Sequence, residues 1–201
     1  MCSSRIGILG GSFSPPHNAH LALGIFAKDQ FDLDVVFVIP GSTISLGKTE
    51  KPIANHHRYN MAVLACKNVD FFHVLDCELQ NNPVYTVQTL KSLRKKYTRA
   101  ELFFIAGADN FKNIDSWHEP QEIAKLTSFI IAPRNDFLFE AFDSLKKVGT
   151  DTKNIFTLDF PRIDVSSTMI RERLRKDLGC SYLVSDAVLR YIKINRLFKE
   201  D

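Results

Sequence analysis

The chain has 201 residues, of which 45% are hydrophobic, 24% charged and 11% aromatic. This is an ordinary globular composition and excludes a disordered chain, a coiled coil and a collagen-like repeat. Lys+Arg 26 against Asp+Glu 23 gives a net charge of +3. That balance would not hinder an anionic substrate, but it does not mark a nucleic-acid binder.

The apolar run 6–9, ended by Gly10-Gly11, reads as a buried parallel strand. A helix is predicted over 18–30 and a second strand over 34–39, closed by Pro40-Gly41. A polar loop runs from 41 to 53, followed by a helix over 55–67 with Asn55 as its cap. A strand over 71–75, a helix over 86–97 and a strand over 101–107 come next. Then follow a helix over 121–126, a strand over 128–133, a helix over 137–147 and a strand over 154–159. Helices over 167–176 and 185–196 close the chain. Strands alternate with helices, and most strands are continuous apolar runs, so the sheet is parallel and covered on both faces. The predicted fold is α/β: a Rossmann-like, doubly wound parallel sheet of about six strands with a short helical C-terminus. Residues 1–201 are expected to form a single domain.

The longest apolar runs, such as 35–39, fall far short of the roughly 18 residues of a membrane span. The N-terminal MCSSRIGILGGSF lacks the charged start, apolar stretch and cleavage site of a secretory signal. Cys2, Cys66, Cys77 and Cys180 include no C-x-x-C pair. A zinc or dithiol site therefore has no support, and a cytoplasmic protein with reduced thiols is expected. The basic clusters Lys91–Arg99 and Arg171–Lys176 lie in helix-like stretches and read as solvated faces.

Ligands of such folds sit beyond the carboxyl ends of the strands. Three of those ends carry unusual residues: GGSFSPPHNAH at 10–20, GADN at 107–110 and DVSSTMIRER at 164–173. His17 and His20 are three apart at a helix start, so their imidazoles can share one face. A helix N-terminus also offers unpaired N–H groups and partial positive charge, which together suggest phosphate binding. A surface loop with two incidental histidines is the competing reading. GSTISLGKT at 41–49 imitates a P-loop, but five residues separate Gly41 from Gly47 and Pro52 blocks the helix that should follow.

GGSFSPPHNAH resembles the nucleotidylyltransferase signature G-x-F-[DS]-P-x-H-x-G-H. With PVYTVQTL at 83–90, FIAGADNFKNIDSWHE at 104–119, FIIAPR at 129–134 and VSSTMIRERL at 165–174, nearly the whole chain resembles the bacterial-type nicotinate (nicotinamide) mononucleotide adenylyltransferases. Three departures stand out: Ala19 replaces the usual Gly between the histidines, Ser14 stands where Asp is common, and the lysine loop GSTISLGKTEKP at 41–52 is unlike the usual proline- and lysine-rich version.

The resemblance implies transfer of AMP from ATP to nicotinate mononucleotide, giving deamido-NAD and pyrophosphate in NAD biosynthesis. His17 and His20 would be the catalytic pair on the ATP phosphates, with His20 nearest the α-phosphate. The backbone of Gly10, Gly11, Ser12 and Phe13 would lie beneath the nucleotides. Gly107 and Asp109 would serve the adenosine side, Asp109 at the ribose hydroxyls, with helix capping as its competing role. Ser167, Thr168 and Arg171 would bind phosphate at a second helix start, Arg171 in a bidentate manner. Trp117 would stack on the pyridine ring, unless it is a core residue, and Tyr85 and Thr86 would lie near the nicotinate carboxylate. Arg134 and Lys48 are candidates for the mononucleotide. His56-His57-Arg58 reads as a mostly solvated helix start, with Arg58 a candidate structural residue. Mg²⁺ is expected on the ATP phosphates, with no protein ligands of its own. The implied partners are ATP and nicotinate mononucleotide, with no nucleic acid and no membrane; a homo-oligomer is compatible. Pantetheine-phosphate adenylyltransferase and a non-catalytic nucleotide-sensing module remain the alternatives.

Overall fold

The computed structural model describes residues 4–41, 53–79, 84–134 and 137–199. Lys48, Cys2 and most of the P-loop-like segment lie outside them. A six-stranded, all-parallel sheet has the order β3-β2-β1-β4-β5-β6. The strands are β1 (Arg5–Gly11), β2 (Val35–Pro40), β3 (Phe72–Val74), β4 (Glu101–Gly107), β5 (Ser128–Ala132) and β6 (Ile155–Thr157). The helices are α1 (Asn18–Gln30), α2 (Asn55–Cys66), α3 (Thr86–Lys96), α4 (Ala108–Phe111), α5 (Pro120–Leu126), α6 (Leu138–Lys147), α7 (Ser167–Arg175) and α8 (Asp186–Ile194). The strand order reverses between β1 and β4, which makes this the switch point where such sheets open a crevice.

Register explains the opening. β1 stays paired with β2 up to Gly11, opposite Pro40, but its pairing with β4 ends at Leu9, opposite Ile105. Gly10 and Gly11 therefore leave the sheet on the β4 side. Alternation along the strands splits the core across the two faces. Ile6, Ile8, Ile39 and Phe104 meet Val87, Leu90 and Leu93 of α3 and Leu145 of α6. Leu9, Val36, Val38 and Ile105 meet Ala27 of α1 and Cys66 of α2. A third cluster joins α2, α7 and α8 through Met61, Ile170, Val188 and Ile192.

Two local readings of the sequence are corrected. Asn55 does not cap α2, because Ala54 holds the N-cap position. The Asn55 side chain instead donates to the Leu79 carbonyl at 2.9 Å. The sixth strand is three residues long rather than 154–159. The Gln30 side chain takes over the pairing there, donating to the Thr157 carbonyl at 3.2 Å and accepting the Asp159 N–H at 2.8 Å. The structure also adds α4 and the 3₁₀ turn Ile114–Ser116, which have no counterpart in the sequence reading because they are too short to carry a periodic pattern. No helix of the described residues is long and apolar enough to cross a membrane. Cys66, Cys77 and Cys180 are free thiols, and burial pushes Cys66 up to about 12 and Cys77 up to about 11. Neither of those two is a reactive thiolate at neutral pH.

Candidate active site

A cavity of about 750 Å³ opens over the carboxyl ends of β1 and β4. Gly10, Gly11, Ser12, His17 and His20 line one wall, continued by Ser167 and Thr168 at the start of α7. Gly107, Asp109 and Arg134 line a second stretch, and Tyr85, Thr86 and Trp117 a third. Of the site residues read from the sequence, Phe13 and Arg171 do not line it.

The turn from β1 into α1 is held tightly. Phe13 sits in the left-handed region (φ 45°), is buried, and places its ring 4.9 Å from that of His20. It supports the histidine from behind. His17 is the N-cap residue of α1, and its own N–H donates to His20 Nδ1 at 3.2 Å. The two imidazoles stack, with centroids 3.6 Å apart. Because Nδ1 of His20 accepts, the neutral ring carries its proton on Nε2. His17 is buried, and its Nδ1 has no hydrogen-bond partner. Burial, aided by the Arg134 charge, lowers its pKa to about 4. His17 is thus neutral at neutral pH.

The helix start offers fewer amides than expected. The Asn18 N–H donates to the Leu183 carbonyl at 2.9 Å, and the His20 N–H to the His17 carbonyl at 2.9 Å. The Asn18 side chain also donates to the Tyr182 carbonyl. Those N–H groups, like that of His17, are already engaged within the protein. Imidazoles, not a full set of helix amides, are what α1 presents to the cavity. The Ala19 methyl, at the usual glycine position, faces the same space.

At α7 the cap is Ser166, whose Oγ accepts the Met169 N–H at 3.2 Å. Ser167 donates through Oγ to the Pro15 carbonyl at 2.8 Å. Arg171 is buried, donating from Nη1 to the Ser14 carbonyl at 2.9 Å and from Nη2 to Thr168 Oγ1 at 3.2 Å. Nη1 of Arg171 thus ties α7 to the loop carrying the histidines and Nη2 steadies Thr168 beside the cavity, while the phosphate role expected of Arg171 stays an expectation.

Asp109 stands in the first turn of α4, and Gly107 takes the N-cap position. Asp109 is therefore not the cap. Its Oδ2 lies 3.5 Å from Arg134 Nη1, while its Oδ1 is buried without a hydrogen-bond partner. A Cβ at residue 107 would come within 2.5 Å of that Oδ1. Glycine is needed there to let the carboxylate fold back over its own strand end.

Trp117 follows the 3₁₀ turn and is half-buried. Its ring packs edge-on against Phe104 at 5.8 Å and also lines the cavity, so packing and cavity roles coexist. Tyr85 is the N-cap of α3 and stacks on His118 at 4.4 Å. Its N–H donates to Gln88 Oε1 at 2.9 Å.

Of two buried charged residues, Arg58 fits its reading as a structural residue and Glu78 was missed. Arg58 is not part of a solvated helix start: it is 1% exposed, and Nη1 donates to the carbonyls of Ser12 (3.1 Å) and Gly41. Its Nη2 donates to Asn55 Oδ1 at 2.7 Å. Glu78, also buried, lines the cavity and accepts from Thr89 Oγ1 at 2.7 Å. Among the described residues no group of three or more His, Cys, Asp or Glu could hold a metal ion.

A cytidylyltransferase-like family model matches residues 8–173. Over 200 residues the chain is 38% identical to a protein of Dictyoglomus turgidum named probable nicotinate-nucleotide adenylyltransferase, covering 98% of this chain and 97% of that one. A protein of the same name from Dehalococcoides mccartyi is 36% identical over 203 residues, covering 98% of each. In fold, the chain is similar to Plasmodium falciparum nicotinic acid mononucleotide adenylyltransferase complexed with NaAD, with a TM-score of 0.76, 22% identity and 97% of each chain covered. The same enzyme complexed with APC gives 0.75. The chain therefore belongs to the cytidylyltransferase-like family and, within it, to the nicotinate-nucleotide adenylyltransferases.

Proposed function

We propose that this chain transfers AMP from ATP to nicotinate mononucleotide, releasing pyrophosphate and forming deamido-NAD. The observation that carries the reading is the meeting, in one cavity, of the stacked pair His17–His20 with the aromatic end built from Trp117 and Tyr85. The first end suits a polyphosphate and the second a pyridinium ring, which an indole face attracts by roughly 0.5–2 kcal/mol.

ATP enters as its Mg²⁺ complex, with the ion carried on the phosphates. An oxygen of the mononucleotide 5′-phosphate attacks the α-phosphorus of ATP. A new P–O bond forms, and the bond to the bridging oxygen breaks with its electron pair leaving on pyrophosphate. The attacking phosphate is already ionised at neutral pH, so no general base is required. His20 donates from Nε2 to a non-bridging oxygen of the α-phosphate, where charge changes as the five-coordinate state forms. His17 serves the leaving phosphates. Ser167 and Thr168 bound the phosphate region from α7, with Gly10, Gly11 and Ser12 beneath. Asp109 Oδ1, buried and without a donor, is an acceptor suited to the adenosine ribose hydroxyls. Arg134 steadies that carboxylate and supplies positive charge near the substrates.

The acid is preferred to the amide. Thr86 opens α3, so its hydroxyl and the positive helix end face the nicotinate substituent. A neutral amide would forgo a charge-assisted bond worth roughly 1.5–3 kcal/mol. The partners of this reading are small molecules rather than nucleic acid or a membrane, and its place is the cytoplasm. We read 1–201 as one catalytic domain, because the α1 start bonds to Tyr182 and Leu183 near the other end of the chain. The experiment is pyrophosphate release from MgATP with nicotinate mononucleotide, nicotinamide mononucleotide or phosphopantetheine as acceptor. Nicotinate mononucleotide should lead the amide by on the order of 10–100-fold in kcat/KM. Faster turnover with phosphopantetheine, or ATP binding without release, would overturn the reading.

A further inference from the structure

The floor of the cavity holds a polar network that no step of the reaction uses. Arg58 ties together the carbonyls of Ser12 and Gly41, which follow the ends of β1 and β2. Through Nη2 it holds Asn55, and Asn55 in turn donates to the carbonyl of Leu79. The neighbouring Glu78 reaches in two directions. Its Oε1 accepts from Thr89 on α3, and its Oε2 points toward Gly41, so that a Cβ added there would lie 3.4 Å from it. Thr89 is buried one turn into α3, and its N–H donates to the Tyr85 carbonyl at 3.3 Å. The network thus runs from the phosphate loop to the first turn of α3, the turn that bears Tyr85 and Thr86.

We propose that Glu78, buried beside Gly41 and bonded to Thr89, is a positioning residue that sets the α3 start, and with it the mononucleotide end, relative to the phosphate loop. In-line transfer needs the attacking phosphate within a few tenths of an ångström of its productive place, and misplacement by about 1 Å costs on the order of 10²-fold. The apolar face of α3 packs against the sheet through Val87, Leu90 and Leu93. A directional 2.7 Å bond between two buried side chains adds a fixed point at the start of that helix. Burial pushes the Glu78 carboxyl up to about 7 against the opposing pull of Thr89 and Arg58. This is the signature of a carboxylate kept inside the protein at a cost in stability.

The inference rests on the mononucleotide assignment above, and the test separates the two. Initial rates of pyrophosphate release are measured for wild type, Thr89→Val, Thr89→Ala, Thr89→Ser and Trp117→Ala, varying each substrate in turn, with a melting curve for each protein. Thr89→Val removes the donor at nearly constant volume. It should raise the KM for nicotinate mononucleotide by at least about tenfold, because its end of the cavity loses its place, while the KM for ATP stays within about twofold. Thr89→Ala, the second variant should the valine protein fold poorly, should show the same split. Thr89→Ser restores the hydroxyl and should restore the KM. A parallel rise in both KM values, no change in either, or failure of the serine to rescue would overturn the inference. If Trp117→Ala also leaves the mononucleotide KM unchanged, the assignment of that end fails. If it raises that KM while Thr89→Val does not, only the role of Glu78 fails.

Discussion

Replacement of His20 separates its two nitrogens. Nδ1 accepts the His17 N–H at 3.2 Å, and in the proposed reaction Nε2 donates toward the reacting phosphorus. His20→Ala removes both functions. Losing a donor that tightens on the transition state costs on the order of 10²–10³ in rate, about 2.7–4 kcal/mol. Losing the acceptor for an N-cap amide costs about 1 kcal/mol of stability, or roughly 2–4 °C in Tm for a chain of this size. His20→Asn puts an amide oxygen near the place of Nδ1 and nothing at Nε2. It should keep the melting temperature within about 1 °C of wild type, since the cap survives, yet lose as much kcat as the alanine variant. His20→Gln puts an amide nitrogen near Nε2 and should recover at least about tenfold in kcat over asparagine, because a donor is again present. The assay is single-turnover formation of the dinucleotide at saturating MgATP, beside a thermal melt. Equal kcat for the asparagine and glutamine variants would refute the division of labour. Asparagine activity above about a third of wild type would refute the transition-state contact itself.

His17 gives a pH prediction. Its folded pKa of about 4 lies below the ordinary 6.5, so the unliganded protein loses stability as pH falls through that window. Bound phosphates favour the imidazolium, so MgATP should bind more tightly as pH falls from 6.5 toward 4, with proton uptake. Calorimetry in two buffers of different ionisation heat reads the uptake directly, and none at pH 5 would contradict the assignment. Trp117→Ala should raise the KM for the mononucleotide with the KM for ATP nearly unchanged. Because the ring is only half-buried against Phe104, its melt should show less than the roughly 3–5 kcal/mol lost with a fully buried aromatic. Gly107→Ala forces the Asp109 carboxylate from its place. It should raise the KM for ATP about as much as Asp109→Ala does, and a wild-type ATP KM would remove Asp109 from the adenosine side.

Much of this was legible because the chemistry follows strand ends. β1, β2, β4 and β5 are interior strands of a sheet covered on both faces, so they read as continuous apolar runs and were located to within a residue or two. His17, His20 and Asp109 come in the segments that follow two such runs, β1 and β4, and the fold gathers strand ends at one edge. Arg58 and Glu78 were not legible in this way. Arg58 sits in the polar stretch NHHRYN, and burial of a charge is decided by partners distant in the chain. One signal was present: Arg58, Met61, Ala62 and Cys66 fall on one face at helical spacing, and all four are buried. A charged residue on an otherwise apolar helix face is a candidate for a buried anchor. Arg171, beside Ile170 on α7, is a second case. No local signal could have told that the Asn18 amide is taken by Leu183.

That last contact changes how the site must handle phosphate. An α1 start with unengaged amides would offer a fixed partial charge, indifferent to pH. Here the amides of His17, Asn18 and His20 are engaged within the protein, and donors on side chains take their place. Imidazoles can be tuned by burial, as the low pKa of His17 demonstrates, and they act at the length of a side chain rather than at the backbone. The arrangement also makes the histidine loop depend on the C-terminal part of the chain. Ser167 holds Pro15, Arg171 holds Ser14, and Tyr182 and Leu183 hold Asn18. A perturbation that loosens α7 therefore reaches His20 as well as Ser167 and Thr168, and its kinetic effect should fall on kcat and on the KM for ATP together.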